Sequence, residues 1–318
     1  MSSSIIITLT SLMQPDHTAV VTGASSGIGR AACLRFAQAG MHVWMIDNDA
    51  DELMLAQSLV KSHQANETQQ IISAEVIDVA SASAMKQLAE QVFAAGNGCH
   101  VLFNNAGIGL GGGALTDIEQ VHHTMNVNMY GPIHGCLAFV PKMQASGQPG
   151  IVINTGSKQG ITMPPGNLTY NMSKAALKCY TEGLEHEFMK ARYEHGGKLR
   201  AVLLIPGWVN TSILLKAERA KAHAKGESYD PAQAFFHETK PQAGAWMPSQ
   251  VIDFLQQELE EDKFYILCPD NDVDRETDNL RMIWTMNDIV QDRPPLSRWH
   301  PDYKDKFDAF VQEQKQKK

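Results

Sequence analysis

Tyr170 and Lys174 are the residues whose types and spacing most directly suggest acid–base chemistry. They stand four positions apart in the run Tyr170-Asn171-Met172-Ser173-Lys174, so on a helix their side chains share one face. A free phenol has a pKa of about 10 and is a poor base at neutral pH. A neighbouring ammonium group stabilises the phenolate and should lower that pKa, which would permit proton transfer near neutrality. The spacing alone is weak evidence, because it occurs by chance in many helices.

Two further polar side chains are candidates for the same reaction. Ser157 follows a predicted strand, so its hydroxyl group could hold a substrate oxygen beside the tyrosine. Asn128 lies within a predicted long helix, where its amide could bend the helix and hold a water that passes protons from Lys174 to solvent. The predicted catalytic set is therefore Asn128, Ser157, Tyr170 and Lys174.

A glycine-rich turn between the first predicted strand and the first predicted helix indicates a dinucleotide site. It reads Thr22-Gly23-Ala24-Ser25-Ser26-Gly27-Ile28-Gly29. Glycines let the backbone turn sharply and approach a pyrophosphate, and the amides that begin the next helix point at that anion. The spacing is GxxxGxG rather than the commoner GxGxxG, and a purely structural turn is the alternative. The position after the first strand favours the cofactor interpretation.

Asp47 ends the second predicted strand and bears on which dinucleotide binds. A carboxylate there can accept hydrogen bonds from both hydroxyls of the adenosine ribose and would repel the 2′-phosphate of NADP. No Lys or Arg stands within 25–29 or 47–53 to neutralise such a phosphate. The sequence therefore favours NAD over NADP, with a solvated strand-end aspartate as the alternative. The oxidised nicotinamide would add a second positive charge beside the phenol.

Further cofactor candidates follow the third, fourth and sixth predicted strands. Asp78 could accept a hydrogen bond from the adenine amino group, and Thr211 could hold the nicotinamide carboxamide. Small residues after the fourth strand let the backbone pass close to a cofactor. The predicted cofactor-binding set is Gly23, Ser25, Ser26, Gly27, Ile28, Gly29, Asp47, Asp78, Val79, Asn105, Ala106, Gly107, Tyr170, Lys174, Pro206, Gly207, Val209 and Thr211.

The elements that must position these residues alternate along the chain. Short apolar runs predict strands at 18–22, 42–46, 71–77, 101–104, 150–155, 200–205 and 264–268. Helical patterns lie at 30–39, 51–62, 83–95, 118–137, 169–193 and 249–260. Repeated strand–helix–strand units predict a parallel sheet with helices on both faces, where ligands bind beyond the carboxyl ends of the strands. The predicted fold is a single doubly wound Rossmann-type α/β domain over residues 17–270, with a seven-stranded parallel sheet.

Three segments fall outside this alternation. Residues 1–16 are predicted to be a flexible N-terminal extension, and the polar segment 212–247 is predicted to be a lid over the substrate. Residues 271–318 form a helical C-terminal extension, with apolar residues at helical spacing over 280–290 and a second helix near 303–313. These helices pack on the core or on another subunit, or they take part in substrate binding; the sequence leaves both interpretations open.

Composition limits the function classes. The 318 residues carry a formal net charge of −8, which argues against nucleic-acid binding. Five cysteines without a CxxC pair, and histidines without an HExxH pattern, indicate no metal site. The N-terminus lacks a positively charged leader pattern, and no run approaches the roughly 20 apolar residues that span a bilayer. We therefore expect a cytoplasmic protein with no membrane partner.

The motifs TGASSGIG, NNAG, YNMSK and PGWVNT, together with Asn128 and Ser157, resemble the short-chain dehydrogenase/reductase family in order and spacing. The resemblance covers Thr18–Cys268 and concerns the main branch of the family. It implies an Asn–Ser–Tyr–Lys tetrad at the four catalytic candidates named above. It also implies that Asp47 lies at the ribose, that Asn105 lies beside the cofactor, and that the glycines of the turn bind the pyrophosphate.

The activity implied by the resemblance is NAD-dependent interconversion of a secondary alcohol and a ketone by hydride transfer. Tyr170 would exchange the proton on oxygen, Ser157 would orient that oxygen, and Lys174 would tune the phenol while binding the ribose. A water on Asn128 would complete the proton path. The resemblance further implies a homodimer or homotetramer formed through the two long helices.

Departures from the family pattern keep some questions open. The chain continues well past the seventh strand, and residues 264–269 lack the glycine-rich end common in the family. Lys158 follows Ser157 directly; it could attract an acidic substrate or turn toward the cofactor or solvent. Two rival functions are a nucleotide-sugar epimerase or dehydratase, whose TGxxGxxG motif is absent, and an NAD(H)-sensing protein without turnover, which typically loses the Tyr or Lys present here.

Overall fold

One parallel sheet organises the protein, seen in a computed structural model that describes residues 7–109, 112–213, 216, 222, 226 and 242–317. Its seven strands run in the order β3-β2-β1-β4-β5-β6-β7. They are β1 (Thr18–Thr22), β2 (His42–Asp47), β3 (Ile72–Val76), β4 (Val101–Asn104), β5 (Gly150–Thr155), β6 (Leu199–Ile205) and β7 (Tyr265–Leu267). The predicted fold class is confirmed. Because β1 and β4 are neighbours whose onward connections leave in opposite directions, the sheet has a topological switch point between them.

Helices cover both faces of the sheet. In chain order the described helices are α1 (Leu9–Leu12), α2 (Gly27–Gln38), α3 (Ala50–Lys61), α4 (Ala82–Ala94), α5 (Ile118–Met125), α6 (Gly131–Ser146), α7 (Gln159–Thr162), α8 (Leu168–His195), α9 (Pro248–Glu260), α10 (Arg275–Val290) and α11 (Lys304–Gln316). None of them combines the length and apolar character needed to cross a bilayer.

The two larger apolar cores lie on opposite faces of the sheet, because successive strand side chains alternate between faces. Val21 joins a core that includes Phe36 of α2 and Leu255 of α9. Its neighbour Val20 joins a second core that includes Leu88 of α4 and Phe139 of α6. The central strands are therefore buried on both sides, which explains their nearly continuous apolar sequence.

The long helix predicted over 118–137 is longer and is interrupted. α5 passes into a π-helical turn at Asn126–Tyr130, and α6 then continues to Ser146. The π-turn brackets Asn128, whose amide is buried and bonds to the backbone of Ile108 rather than to solvent. Such wide turns are frequent at functional sites.

The N-terminal segment differs from the flexible extension that the sequence predicted. Within its described part, Leu9 and Leu12 of α1 are completely buried in the first core. Arg200 of β6 donates to the carbonyl oxygen of Ile7 at 3.0 Å, and Gln256 of α9 donates to Thr10 at 3.0 Å. Apolar burial and these hydrogen bonds hold residues 7–16 against the domain.

The C-terminal extension is helical, as predicted. α10 and α11 enclose a small core in which the ring of Trp284 contacts Phe307 and Phe310. Most of the predicted lid at 212–247 lies outside the described residues; the structure describes 212, 213, 216, 222, 226 and 242–247 of it.

Candidate active site

The glycine-rich turn sits at the switch point and has backbone geometry that requires glycine. Gly23 and Gly27 adopt φ angles of +65° and +54°. A methyl group on Gly29 would lie 2.1 Å from the carbonyl oxygen of Gly23. Ser26 precedes α2 without a side-chain capping hydrogen bond, and Ile28 packs into the first core. The turn therefore fits a pyrophosphate at a helix N-terminus.

Asp47 is buried at the end of β2 and is held against this turn. Its carboxylate accepts hydrogen bonds from the backbone amides of Ser25 at 3.1 Å and Asp49 at 3.2 Å. An anion at this position lies within the turn region where the adenosine ribose of a dinucleotide would be bound. The placement fits the role that the sequence predicted.

A lysine from outside residues 25–29 and 47–53 also reaches this turn. The ammonium group of Lys216, from the segment after β6, lies 3.1 Å from the Ser25 hydroxyl and 2.7 Å from a carboxylate oxygen of Glu52. Ser212 in the same segment donates to the Ser26 hydroxyl at 2.8 Å. Only the tertiary structure brings these residues to the turn.

Asn105 and Thr22 join the ends of β1 and β4. The Thr22 hydroxyl accepts from the amides of Asn105 at 3.0 Å and Ala106 at 3.1 Å, and the Asn105 side chain donates to the carbonyl oxygens of Thr22 and Gly23. Asn105 also accepts from Thr155 of β5 at 3.3 Å. Its amide thus supports the glycine turn from below. Ala106 packs close to Gly23: a methyl group on Gly23 would lie 2.8 Å from the Cα of Ala106.

The residues after β3 lie further along the same edge. The exposed Asp78 accepts from the amide of Ala80 at 2.9 Å, and Val79 is buried against Gly131 at the start of α6. The carbonyl group of Val79 accepts from His134. Asp78 therefore shapes its own turn beyond β3.

The segment after β6 closes the site from the other side. A methyl group on Gly27 would lie 3.0 Å from Thr211, so this threonine faces the glycine turn directly. Val209 packs against the first core and pairs with Trp246 through a β-bridge. Gly207, which follows Pro206, instead faces Lys158 and Asp270.

Tyr170 and Lys174 lie one turn apart in the N-terminal part of α8. The Lys174 ammonium group is 5.7 Å from the centroid of the Tyr170 ring and donates to the carbonyl oxygen of Thr155 at 2.8 Å. Lys174 is buried, and this burial lowers the pKa of its ammonium group to about 8. It still carries most of its positive charge at neutral pH.

The surroundings of Tyr170 act on its pKa in two opposite directions. Burial raises the pKa of this phenol, a hydrogen bond with Ser157 lowers it, and the Lys174 charge is not among the causes of the shift. Around the protein's own residues, desolvation of the phenolate outweighs the Ser157 hydrogen bond. The sequence prediction concerns the phenol beside both Lys174 and an oxidised nicotinamide, and it stays a prediction.

Asn128 joins the two halves of the site. Its side chain accepts from the Ile108 amide at 2.8 Å and donates to the Ile108 carbonyl at 2.9 Å and to Ser173 of α8 at 3.1 Å. Gly107 lies between Asn128 and Lys174, since a methyl group there would approach both side chains within 3.5 Å. The four catalytic candidates thus come together beyond the ends of β4 and β5.

Lys158 does not occupy either position that the sequence left open. Its ammonium group lies 3.2 Å from Asp270 and 2.5 Å from Asp278, both beyond β7. Within the described residues, no cluster of three or more His, Cys, Asp or Glu side chains could hold a metal ion.

Comparisons with known proteins place these residues in a family context. A family model described as short chain dehydrogenase matches residues 17–222. The 1-deoxy-11-beta-hydroxypentalenate dehydrogenase of Streptomyces avermitilis is 34% identical over 202 residues, covering 63% of this chain and 70% of that protein.

Solved structures share the fold. A short chain dehydrogenase/reductase from Burkholderia phymatum in complex with NAD has a TM-score of 0.74 and 28% identity, covering 89% of this chain and 97% of that one. A metagenomic short-chain oxidoreductase in complex with NADP has a TM-score of 0.60 and 22% identity, covering 80% of this chain and 97% of that one. The second likeness concerns the fold alone.

Proposed function

Because this chain belongs to the short-chain dehydrogenase family and is an oxidoreductase, we propose that it interconverts a secondary alcohol and a ketone with NAD, using Tyr170 as the acid/base. One observation carries the proposal. The Lys174 ammonium group, held by the Thr155 carbonyl oxygen at 2.8 Å, lies 5.7 Å from the centroid of the Tyr170 ring, at the same sheet edge as the glycine turn.

Each residue has a distinct part in the proposed reaction. Tyr170 gives a proton to the carbonyl oxygen in reduction and takes it from the hydroxyl group in oxidation. Ser157 donates a hydrogen bond to that oxygen and keeps it beside the phenol. Lys174, fixed by the Thr155 carbonyl, places a positive charge under the ring. A water on Asn128 would pass protons to solvent; because the side-chain amide already donates to Ile108 and Ser173, that water would donate to Asn128 rather than accept from it.

The chemistry that bound NAD supplies is hydride transfer at its nicotinamide ring. The glycine turn would hold the pyrophosphate, Thr211 would hold the carboxamide, and Lys174 would bind the nicotinamide ribose. We favour NAD over NADP because Asp47 places a carboxylate where the 2′-phosphate would lie. Lys216, whose ammonium group reaches the turn at the Ser25 hydroxyl, is paired with Glu52.

The decisive experiment is a panel of secondary alcohols with NAD and of ketones with NADH, followed by nicotinamide absorbance. Tyr170→Phe should lower kcat on any true substrate by about 100- to 10,000-fold, because proton transfer is lost. Its affinity for NADH, measured by fluorescence titration, should stay within about threefold.

The matched control is Tyr193→Phe, which makes the same change at the other end of α8. Tyr193 is 92% exposed, so its replacement should leave kcat unchanged. Wild-type turnover in the Tyr170→Phe variant would refute the mechanism. Binding of NADH without turnover of any compound in the panel would instead favour a sensor of the NAD/NADH ratio.

A further inference from the structure

Lys158 forms a buried ion cluster immediately beside Ser157. Its ammonium group contacts Asp270 at 3.2 Å and Asp278 at 2.5 Å. The side chain of Lys158 is 16% exposed, and those of the two aspartates are 7% and 5% exposed. Charges this far from water are weakly screened, so the attraction between them is much stronger than in a surface pair.

The two carboxylates belong to the chain beyond β7. Asp270 directly precedes the C-terminal extension. Its carboxylate accepts from the amide of Val273 in that extension at 2.8 Å and from the amide of Trp208, which follows β6, at 3.1 Å. Asp278 lies in the first turn of α10, where Arg281 also approaches its carboxylate at 3.7 Å. The cluster thus joins α10 to the segment that carries Ser157.

The backbone at Gly207 packs directly against the cluster. A methyl group on Gly207 would lie 2.6 Å from the Asp270 carboxylate and 2.7 Å from the Lys158 ammonium group. Burial raises the pKa of the Asp278 carboxyl group, although Lys158 and Arg281 both lower it. Removing one partner would leave an unpaired buried charge, so loss of any one of the three side chains should destabilise this part of the fold.

Lys158 also begins the short helix that follows Ser157. Its carbonyl oxygen accepts from the amides of Ile161 at 3.1 Å and Thr162 at 3.0 Å. The Ser157 hydroxyl accepts from the Gln159 amide at 3.2 Å in the same turn. Fixing the Lys158 side chain therefore fixes the backbone to which the Ser157 hydroxyl is bonded.

We propose that the C-terminal extension positions Ser157 for catalysis through the Lys158–Asp270–Asp278 cluster, with Asp278 as a positioning residue. The inference rests on the proposed function for the role of Ser157. It also accounts for the lysine beside the catalytic serine: two carboxylates hold its charge, so it serves as an anchor rather than as a receptor for acidic substrates.

The test compares Asp278→Asn with Asp288→Asn, which alters another buried carboxylate of α10. Asp288 bonds to Ser297 and Arg293 and makes no contact with Lys158 in the described structure. Asp278→Asn should lower kcat about 10-fold or more, because small displacements of catalytic groups are costly. Its affinity for NADH should change less than twofold, and Asp288→Asn should retain kcat.

Hydrogen exchange supplies a readout that does not depend on turnover. Amides of residues 157–163 should exchange faster in Asp278→Asn than in wild type and stay unchanged in Asp288→Asn. If Asp278→Asn does not fold, the double variant Lys158→Met/Asp278→Asn, which removes both charges of that pair, should give the same pattern.

The outcomes separate the two proposals. Unchanged exchange in 157–163, or an equal loss of kcat in both aspartate variants, overturns the positioning role. Faster exchange in a protein that turns over no alcohol or ketone refutes the proposed function and a catalytic purpose for the cluster, while leaving the structural tie to α10 in place.

Discussion

At the scale of single residues, burial decides the acid–base properties of the site. Desolvation disfavours charge on both members of the central pair, so it raises the pKa of the Tyr170 phenol and lowers that of the Lys174 ammonium group to about 8. With a pKa of about 8, Lys174 keeps most of its positive charge at neutral pH. At the phenol, the Ser157 hydrogen bond lowers the pKa and so opposes the effect of burial. The pKa of Tyr170 therefore depends on the balance between burial, which raises it, and this hydrogen bond, which lowers it.

Cofactor preference is also a property of single residues, and Asp47 is the residue that we propose sets it. Asp47→Ala removes a carboxylate that would bind the adenosine ribose and repel a 2′-phosphate, so the ratio of kcat/KM for NAD to that for NADP should fall about 10-fold or more. Asp78→Ala is the matched control: the adenine contact predicted for the exposed Asp78 is common to NAD and NADP, so the ratio should stay unchanged even if both values of kcat/KM fall. An unchanged ratio in Asp47→Ala would show that another group sets the preference.

At the scale of elements, α1 shows how a short segment becomes part of the core. Its four residues have no helical pattern of useful length, yet Leu9 and Leu12 are buried between α9 and the sheet. A capping box formed by Thr8 and Ser11 satisfies the start of the helix. Burial against α9, rather than helix propensity, keeps this element folded.

Truncation of a side chain tests this element. Leu12→Ala should lower the free energy of unfolding by about 2–4 kcal/mol, because it removes buried methyl groups and leaves a cavity. Leu55→Ala, on the 61% exposed Leu55 of α3, should cost less than about 1 kcal/mol. Urea unfolding measures both values. Equal, small effects would show that residues 7–16 contribute nothing to the core.

At the scale of the whole molecule, the sheet has chemically distinct ends. The carboxyl ends of the strands carry the candidate active site, whereas the opposite edge carries histidines. His100 before β4 stacks on His17 at 3.8 Å and accepts from the Thr18 amide at 3.1 Å. Burial and the neighbouring His17 lower the pKa of His100 to about 4. Its neutral form is therefore part of the folded state.

This pKa predicts acid sensitivity of the whole fold. Between its ordinary pKa of about 6.5 and the lowered value, only the unfolded chain binds the proton, so stability is present above pH 6.5 and falls as the pH drops toward 4. The loss is on the order of 1–3 kcal/mol once solvent screening is allowed for. His100→Asn, which keeps an acceptor for Thr18, should lose this part of the pH dependence in urea unfolding between pH 7 and 4.

The control for this prediction is His195→Asn, because the His195 side chain is 76% exposed. It should follow the wild-type pH profile. Identical profiles for all three proteins would rule out His100 as the acid-sensitive group. Assembly into a homodimer or homotetramer through the two long helices, and a cytoplasmic location, stay predictions at this scale.

The sequence by itself determined the fold class and the order of the candidate site. Apolar strand runs, helical periodicity and a glycine turn are local patterns, and parallel strands necessarily bring the residues at their carboxyl ends to one edge. For that reason the sequence predicts that Asp47, Asn105 and Ser157, at or just past the ends of β2, β4 and β5, lie at one edge of the sheet.

Only the tertiary structure decided the contacts between distant parts of the chain. Lys158 meets Asp278, Lys216 meets Glu52, and Arg200 meets Ile7, and no local pattern marks these residues as partners. The burial that raises the pKa of Tyr170 likewise depends on packing from several elements. Ion pairing and desolvation act through space, so their outcome is fixed by the assembled fold and not by spacing along the chain.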